Sequence, residues 1–138
     1  MKIDSINQGY VLDHITAGKA MEIYRYLHLD ELDCSVAIIK NVKSAKSEKK
    51  DIIKIDDLID IDLTVLGYID PGITVNVVKD GQIVEKLHLS LPEEIVNVVR
   101  CKNPRCITSV ESDLDHVFRL VDRENKIYRC IYCEAKKD

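Results

Sequence analysis

The 138-residue sequence lacks most of the motifs by which enzymes and membrane proteins are recognised. It contains no glycine-rich phosphate loop, no G-x-S-x-G nucleophile motif and no H-E-x-x-H metal motif. No apolar run approaches the length of a membrane span, and the N-terminus lacks the apolar stretch of a signal peptide. These absences predict a cytoplasmic protein that is not an enzyme and does not contact a membrane.

The sequence also lacks an excess of basic charge and has few aromatic residues. The net charge is −4, and acidic and basic residues nearly balance in residues 101–138. A nucleic-acid-binding module needs a basic face studded with aromatics, and this segment has only Phe118, Tyr128 and Tyr132. We therefore expect no nucleic-acid partner. A zinc-ribbon nucleic-acid factor remains the main alternative, and a salt-dependent shift on mixing with DNA or RNA would favour it.

Four of the five cysteines lie in the last third of the chain, with the spacing C-x4-C-x23-C-x2-C. These are Cys101, Cys106, Cys130 and Cys133. Each close pair suits a tight turn, and together four thiolates can close a tetrahedron around one structural zinc ion. Such a site leaves no position for a reactive water. Two disulfides are the first alternative, which a reducing cytosol disfavours, and an iron–sulfur cluster is the second.

Other chemically active residues receive plainer interpretations. His116 could in principle replace a cysteine, but a single histidine in a predicted strand indicates a surface residue. Cys34 is predicted to be a small core residue. The acidic run at 56–62 is predicted to be the solvated side and N-terminal charge bias of a helix. Asp13 and His14 are neighbours on a predicted strand and should point to opposite faces, so they form a poor acid–base pair. A small nucleotide-dependent enzyme using this pair and Lys54 remains an alternative, which turnover of nucleoside triphosphate would support.

The periodicity of residues 1–89 predicts the order strand, helix, strand, strand, helix, strand, strand. Asp80-Gly81 lies between two alternating runs and predicts a type I′ hairpin turn. This order predicts an α+β sandwich with helices on one face of the sheet. Residues 90–99 are predicted to form a linker with a helical turn, capped by Ser90 and opened by Pro92. Strands are predicted around 107–112, 116–122 and 126–132.

Several motifs together resemble a known family. They are GYVLDHI at 9–15, KDIIKI at 50–55, TVNVV at 74–78, VEKLHLSLPE at 84–93 and the cysteine spacing. In this order they resemble the regulatory chain of aspartate carbamoyltransferase. The resemblance implies a non-catalytic subunit that acts in pyrimidine biosynthesis.

The resemblance also implies two domains. A ferredoxin-like domain at 1–95, an antiparallel sheet with two helices, would bind nucleoside triphosphates (CTP, ATP, UTP) and form a homodimer. A small all-β domain at 96–138 would hold one structural Zn²⁺ per chain and contact the catalytic chain. Regulatory dimers would bridge two catalytic trimers. Residues near the ligand turns, namely Asn103, Arg105, Glu111 and Tyr132, would face that partner.

The nucleotide site implied by the resemblance uses residues from several strands. Backbone groups of the first strand would contact the base edge, Asp13 the ribose and His14 the phosphates. Lysines would neutralise triphosphate and ribose oxygens, and other side chains would pack the base. The full set is Ile3, Asp4, Ser5, Ile6, Val11, Asp13, His14, Lys50, Lys54, Asn76, Val78, Ile83 and Lys86.

Overall fold

A computed structural model describes residues 6–43 and 48–137. The chain divides into two compact units, Met1–Ser90 and Leu91–Asp138. No helix within the described ranges is both long enough and apolar enough to span a membrane.

Within the described residues, the first unit contains one five-stranded antiparallel sheet and two short α-helices, in the order that the sequence predicts. Its elements are β1 (Gly9–Thr16), α1 (Ala20–Tyr26), β2 (Val36–Lys43), β3 (Lys49–Ile55), α2 (Leu63–Ile69), β4 (Thr74–Lys79) and β5 (Gln82–His88). The strands lie side by side in the order β2-β3-β1-β4-β5. The first six elements therefore form the predicted ferredoxin-like arrangement, and β5 extends the sheet at one edge.

One face of this sheet forms the core. Leu12 lies opposite Ile53 on one side and Val75 on the other, and all three side chains are fully buried. The helices contact each other, and α1 also contacts β3. Their buried residues include Ile23 and Leu66. Because side chains alternate along a strand, residues one position away from the Leu12 row point to the opposite, open face.

The hairpin between β4 and β5 has the predicted turn. Lys79 pairs with Gln82, so Asp80 and Gly81 alone form the loop. Both have positive φ, 53° and 75°, as a type I′ turn requires. The Gly81 N–H also donates to the Asn7 carbonyl over 2.9 Å, which ties the chain before β1 to this turn.

Two buried aspartates stabilise the turn between β1 and α1 by accepting hydrogen bonds from its backbone. Asp51 of β3 accepts the N–H groups of Gly18 (3.0 Å) and Ala20 (3.3 Å) through one oxygen. Its other oxygen accepts the Asn41 N–H over 3.0 Å. Asp70, which ends α2, accepts the Thr16 N–H over 2.7 Å. Buried carboxylates are tolerated here because backbone donors satisfy them.

The second unit is a small all-β domain, as predicted. Its three-stranded antiparallel sheet has the order β6-β7-β8, formed by β6 (Glu94–Val96), β7 (Val117–Asp122) and β8 (Ile127–Cys130). Ile95 of β6 lies opposite Phe118 of β7, and both are buried. The Tyr128 hydroxyl donates to the Pro92 carbonyl over 2.5 Å, which fixes the start of this unit.

Some local predictions are wrong. The segment after Pro92 is not a helical turn but strand β6, because its alternating pattern buries Ile95 against β7. Strand β6 belongs to the second of the two compact units, which begins at Leu91. The strand predicted around 107–112 is instead a 3₁₀ turn at Ile107–Ser109, closed by the Ser109 N–H on the Cys106 carbonyl. Cys34 is half-buried in a bend before β2 and is not a core residue.

Candidate ligand face and metal centre

The four cysteines of the second unit converge in space. Their sulfur atoms all lie within 4.8 Å of one another. Two short contacts join the two halves of the motif, with 3.6 Å between the Sγ atoms of Cys101 and Cys133 and 3.7 Å between those of Cys106 and Cys130. Cys106 and Cys130 are buried, whereas Cys101 and Cys133 are partly exposed.

Tight turns aim each pair of sulfurs at the same point. In the first turn, the Cys106 N–H donates to the Asn103 carbonyl over 3.0 Å, and the Asn103 side chain accepts the Arg105 N–H over 3.1 Å. In the second, the Glu134 N–H donates to the Cys130 carbonyl over 2.8 Å, with Glu134 in the left-handed region at φ 62°. Strand β8 ends at Cys130 and so delivers the second pair to the first.

The pKa values of these thiols indicate that the cluster needs a cation nearby. Burial raises the pKa of Cys101 to about 12 and also raises the pKa of Cys130. Burial acts in the same direction on Cys133, but hydrogen bonds from the Asn103 side chain and the Ala135 backbone bring its pKa down to about 7. Four adjacent sulfurs cannot all be thiolates without a cation to offset their charge. A bound metal ion would supply that charge, and the four cysteines are placed to hold it.

Two residues next to the cluster were not expected from the sequence to touch it. His116 lies just before β7 and is partly buried, and its Nδ1 accepts the Cys101 N–H over 3.2 Å. It is not a member of the sulfur cluster. The Thr108 hydroxyl donates to the Cys106 sulfur over 3.1 Å. Spacing gave a usable signal for Thr108, which lies two residues after a ligand, but none for His116.

The open face of the first sheet brings together side chains that the resemblance implies for a nucleotide site. Val11 of β1 lies opposite Lys54 of β3 and Asn76 of β4, and Asn76 in turn lies opposite Lys86 of β5. Directly paired residues share a face, so these four side chains form one row across four strands. We call this the Lys54–Lys86 row.

Asn76 is the most unusual member of this row. It is 7% exposed, and among the described residues its Oδ1 is the buried side-chain atom that has no hydrogen-bond partner. A buried amide oxygen without a donor costs about 1–3 kcal/mol. Val78 and Ile83 are paired next to it in the hairpin, Val78 buried and Ile83 exposed.

Asp13, His14 and Lys50 lie together at one end of this face. Lys50 Nζ is 2.8 Å from Asp13 Oδ1, and the His14 N–H donates to the same oxygen over 2.7 Å. The pairing of β1 with β3 shifts here, and His14 has φ 60°. A bulge therefore interrupts the alternation of side chains that was predicted for Asp13 and His14. Burial tends to raise the pKa of Asp13, but the Lys50 and His14 hydrogen bonds hold it below its ordinary 3.8.

The remaining predicted residues lie at the N-terminus. Ile6 is buried. Ile3, Asp4 and Ser5 fall outside the described residues.

Comparisons with known proteins agree with this two-part organisation. Residues 1–90 match the family "Aspartate carbamoyltransferase regulatory chain, allosteric domain", and residues 93–138 match "Aspartate carbamoyltransferase regulatory chain, metal binding domain". The chain thus combines an allosteric domain with a metal-binding domain whose four cysteines fit a structural metal.

Similar proteins match this chain over nearly all of its residues. The aspartate carbamoyltransferase regulatory chain of Clostridium acetobutylicum is 50% identical over 134 residues, which cover 97% of this chain and 92% of that relative. The corresponding chain of Clostridium tetani is 53% identical over 135 residues (97% and 94%), and that of Bifidobacterium longum 45% identical over 136 residues (99% and 98%). The chain belongs to the family of aspartate carbamoyltransferase regulatory chains.

Proposed function

We propose that this chain is a non-catalytic subunit of a cytoplasmic aspartate carbamoyltransferase in pyrimidine biosynthesis. Its first unit binds nucleoside triphosphates (CTP, ATP and UTP) on the open face of the sheet and pairs with a second regulatory chain. Its second unit holds one zinc ion and contacts the catalytic chain, so that regulatory dimers bridge catalytic trimers. Family membership and the relatives' shared name support this assignment.

The Lys54–Lys86 row carries the nucleotide proposal. In this row, the charged side chains of the two lysines lie on either side of two uncharged residues, Val11 and Asn76. Anionic phosphates and ribose oxygens suit the lysines, and the unpartnered Asn76 oxygen suits a donor on the ligand. Lys50 adds a third cation, which Asp13 holds in place when no phosphate is present.

Calorimetric titration of CTP into the full-length chain tests the nucleotide site. Lys54→Ala and Lys86→Ala should each weaken binding about ten- to hundredfold, because a hydrogen bond to a charged group is worth about 1.5–3 kcal/mol. The matched control is Lys43→Ala, an exposed strand lysine that pairs with Lys49 at the end of β2. Unchanged affinity in both row variants would reject the Lys54–Lys86 row as the site.

Zinc is the metal that four thiolate ligands in a closed tetrahedral set favour. Cys101, Cys106, Cys130 and Cys133 would hold it, and its role is to fold the second unit rather than to activate water. The metal content of protein purified without added metal tests its identity. One equivalent of zinc per chain is expected, and iron with sulfide would contradict it.

Apolar side chains beside the ligand turns support a protein-binding role for the second unit. Val110 is 77% exposed, and Ile107, Ile131 and Tyr132 are also exposed. Exposed apolar residues clustered near one site indicate an interaction surface. Mixing the chain with a catalytic subunit and measuring the mass in solution tests this role. A complex larger than the catalytic trimer is expected. A mercurial that binds the thiolates and so displaces the metal should dissociate this complex.

A further inference from the structure

Thr108 occupies a special position beside the metal centre. Its hydroxyl donates to the Cys106 sulfur over 3.1 Å, and Thr108 and Cys106 are 5% and 1% exposed. The turn around them is closed by the Cys106 N–H on the Asn103 carbonyl and the Ser109 N–H on the Cys106 carbonyl. The hydroxyl is therefore held against the sulfur by a short, hydrogen-bonded segment.

The other three sulfurs receive backbone donors. Cys101 accepts the Asn103 N–H, and Cys130 accepts N–H groups of Tyr132 and Cys133. Cys133 accepts the Ala135 N–H and a hydrogen bond from the Asn103 side chain. The backbone donors are fixed by the two turns whatever side chains they carry, and the Asn103 side chain is held in the first turn by the Arg105 N–H. The donor from Thr108 is a side-chain hydroxyl, so a single substitution can remove it.

We propose that Thr108 is a positioning residue for the metal ligand Cys106 and sets how firmly the site retains its metal. A thiolate at Cys106 is shielded from water, so its charge depends on nearby donors. The hydroxyl stabilises that charge and fixes the direction in which the sulfur points. Groups that orient metal ligands in this way typically change metal affinity about 10–100-fold when removed. The proposal depends on the metal centre and not on nucleotide binding.

A buried threonine could instead serve only to pack the turn, and three variants separate these roles. Thr108→Val keeps the shape and removes the hydroxyl, whereas Thr108→Ser keeps the hydroxyl and removes the methyl group. Ser109→Ala is the matched control, because the Ser109 hydroxyl donates to the Asn103 carbonyl over 2.8 Å and not to a sulfur.

The experiment uses the full-length chain loaded with Co²⁺ alone. Release of Co²⁺ to a chelator is timed, and the sulfur-to-cobalt charge-transfer absorption is recorded. Thr108→Val should release Co²⁺ about 10–100-fold faster. Its absorption should move to lower energy, because a thiolate without the hydrogen bond gives up electron density more readily. Thr108→Ser and Ser109→Ala should behave like the unchanged chain.

Each outcome decides the question. If Thr108→Val fails to hold Co²⁺ while Thr108→Ser holds it normally, the hydroxyl is required and the proposal is supported. An unchanged release rate in Thr108→Val, or equally fast release in Thr108→Ser, would overturn it. Faster release without the spectral shift would also overturn it, because packing would then be responsible. Failure of the unchanged chain to bind Co²⁺ would overturn the metal centre as well.

Discussion

Replacing Asp51 with alanine should destabilise the first unit more than any exposed substitution in it. The Asp51 side chain is fully buried and accepts three backbone N–H groups, those of Gly18, Ala20 and Asn41. These groups start α1 and stabilise the irregular part of β2. Without the carboxylate, they lose their acceptor together.

The expected loss of stability depends on how well water can replace Asp51 as the acceptor of these hydrogen bonds. The bond from Ala20 is buried, and a buried donor without an acceptor costs about 1–3 kcal/mol. The bonds from Gly18 and Asn41 are partly buried, so water recovers part of their energy. We expect Asp51→Ala to lower the free energy of unfolding by about 2–4 kcal/mol. Asp51→Asn keeps one acceptor oxygen and should cost about 1–2 kcal/mol.

Chemical denaturation of the metal-loaded chain, followed by far-ultraviolet circular dichroism, measures this change. Amide hydrogen exchange at Gly18 and Ala20 adds a local measurement, and both amides should exchange faster in the variant. Asp60→Ala is the control, since Asp60 is an exposed carboxylate of the same unit. If Asp51→Ala lay within about 0.5 kcal/mol of this control, the role given to the buried carboxylate would be refuted.

Three further predictions concern the metal and the charged groups. Cys130→Ser should lose its metal, unfold residues 91–138 and abolish binding to a catalytic chain while sparing the first unit; retained metal with normal assembly would contradict the structural role. Arg105→Glu should weaken assembly at unchanged metal content, and loss of both would indicate misfolding instead. Nuclear magnetic resonance should give Asp13 a pKa below 3.8 that rises in Lys50→Ala. Because the pKa of Asp13 is lower in the folded than in the unfolded chain, the ion pair contributes its full stabilisation at neutral pH. This stabilisation is lost as the pH falls below 3.8 and through the folded pKa. An Asp13 pKa that does not change in Lys50→Ala would show that Lys50 does not lower it.

Much of the first unit follows from local signals in the sequence. Alternating apolar residues predicted the strands, and Asp80-Gly81 predicted the hairpin turn that the structure confirms. The bulge at His14 could not be predicted, because it depends on the pairing of β1 with β3. A left-handed histidine leaves no mark on hydrophobic periodicity.

The second unit was harder to predict because its structure depends on contacts distant in sequence. Cysteine spacing identified the cluster, yet strand β6 exists only through its pairing with β7, which begins at Val117. Likewise, His116 contacts Cys101 because β6 and β7 lie side by side, with Asn97 and His116 bonded across them. Short segments of this kind carry little intrinsic preference, so tertiary pairing decides their conformation.

The motif KDIIKI shows how one strand serves both faces of the sheet. Asp51, Ile53 and Ile55 are buried on the helix side, whereas Lys50 and Lys54 are partly exposed on the open side. Because side chains alternate, the aspartate that fastens α1 is next to the lysine that pairs with Asp13. Substitutions on the two faces should therefore have different effects. Asp51→Ala should lower the stability of the fold, whereas Lys54→Ala should lower ligand affinity alone. A variant at Lys54 that unfolded the chain would show that the two faces are not independent.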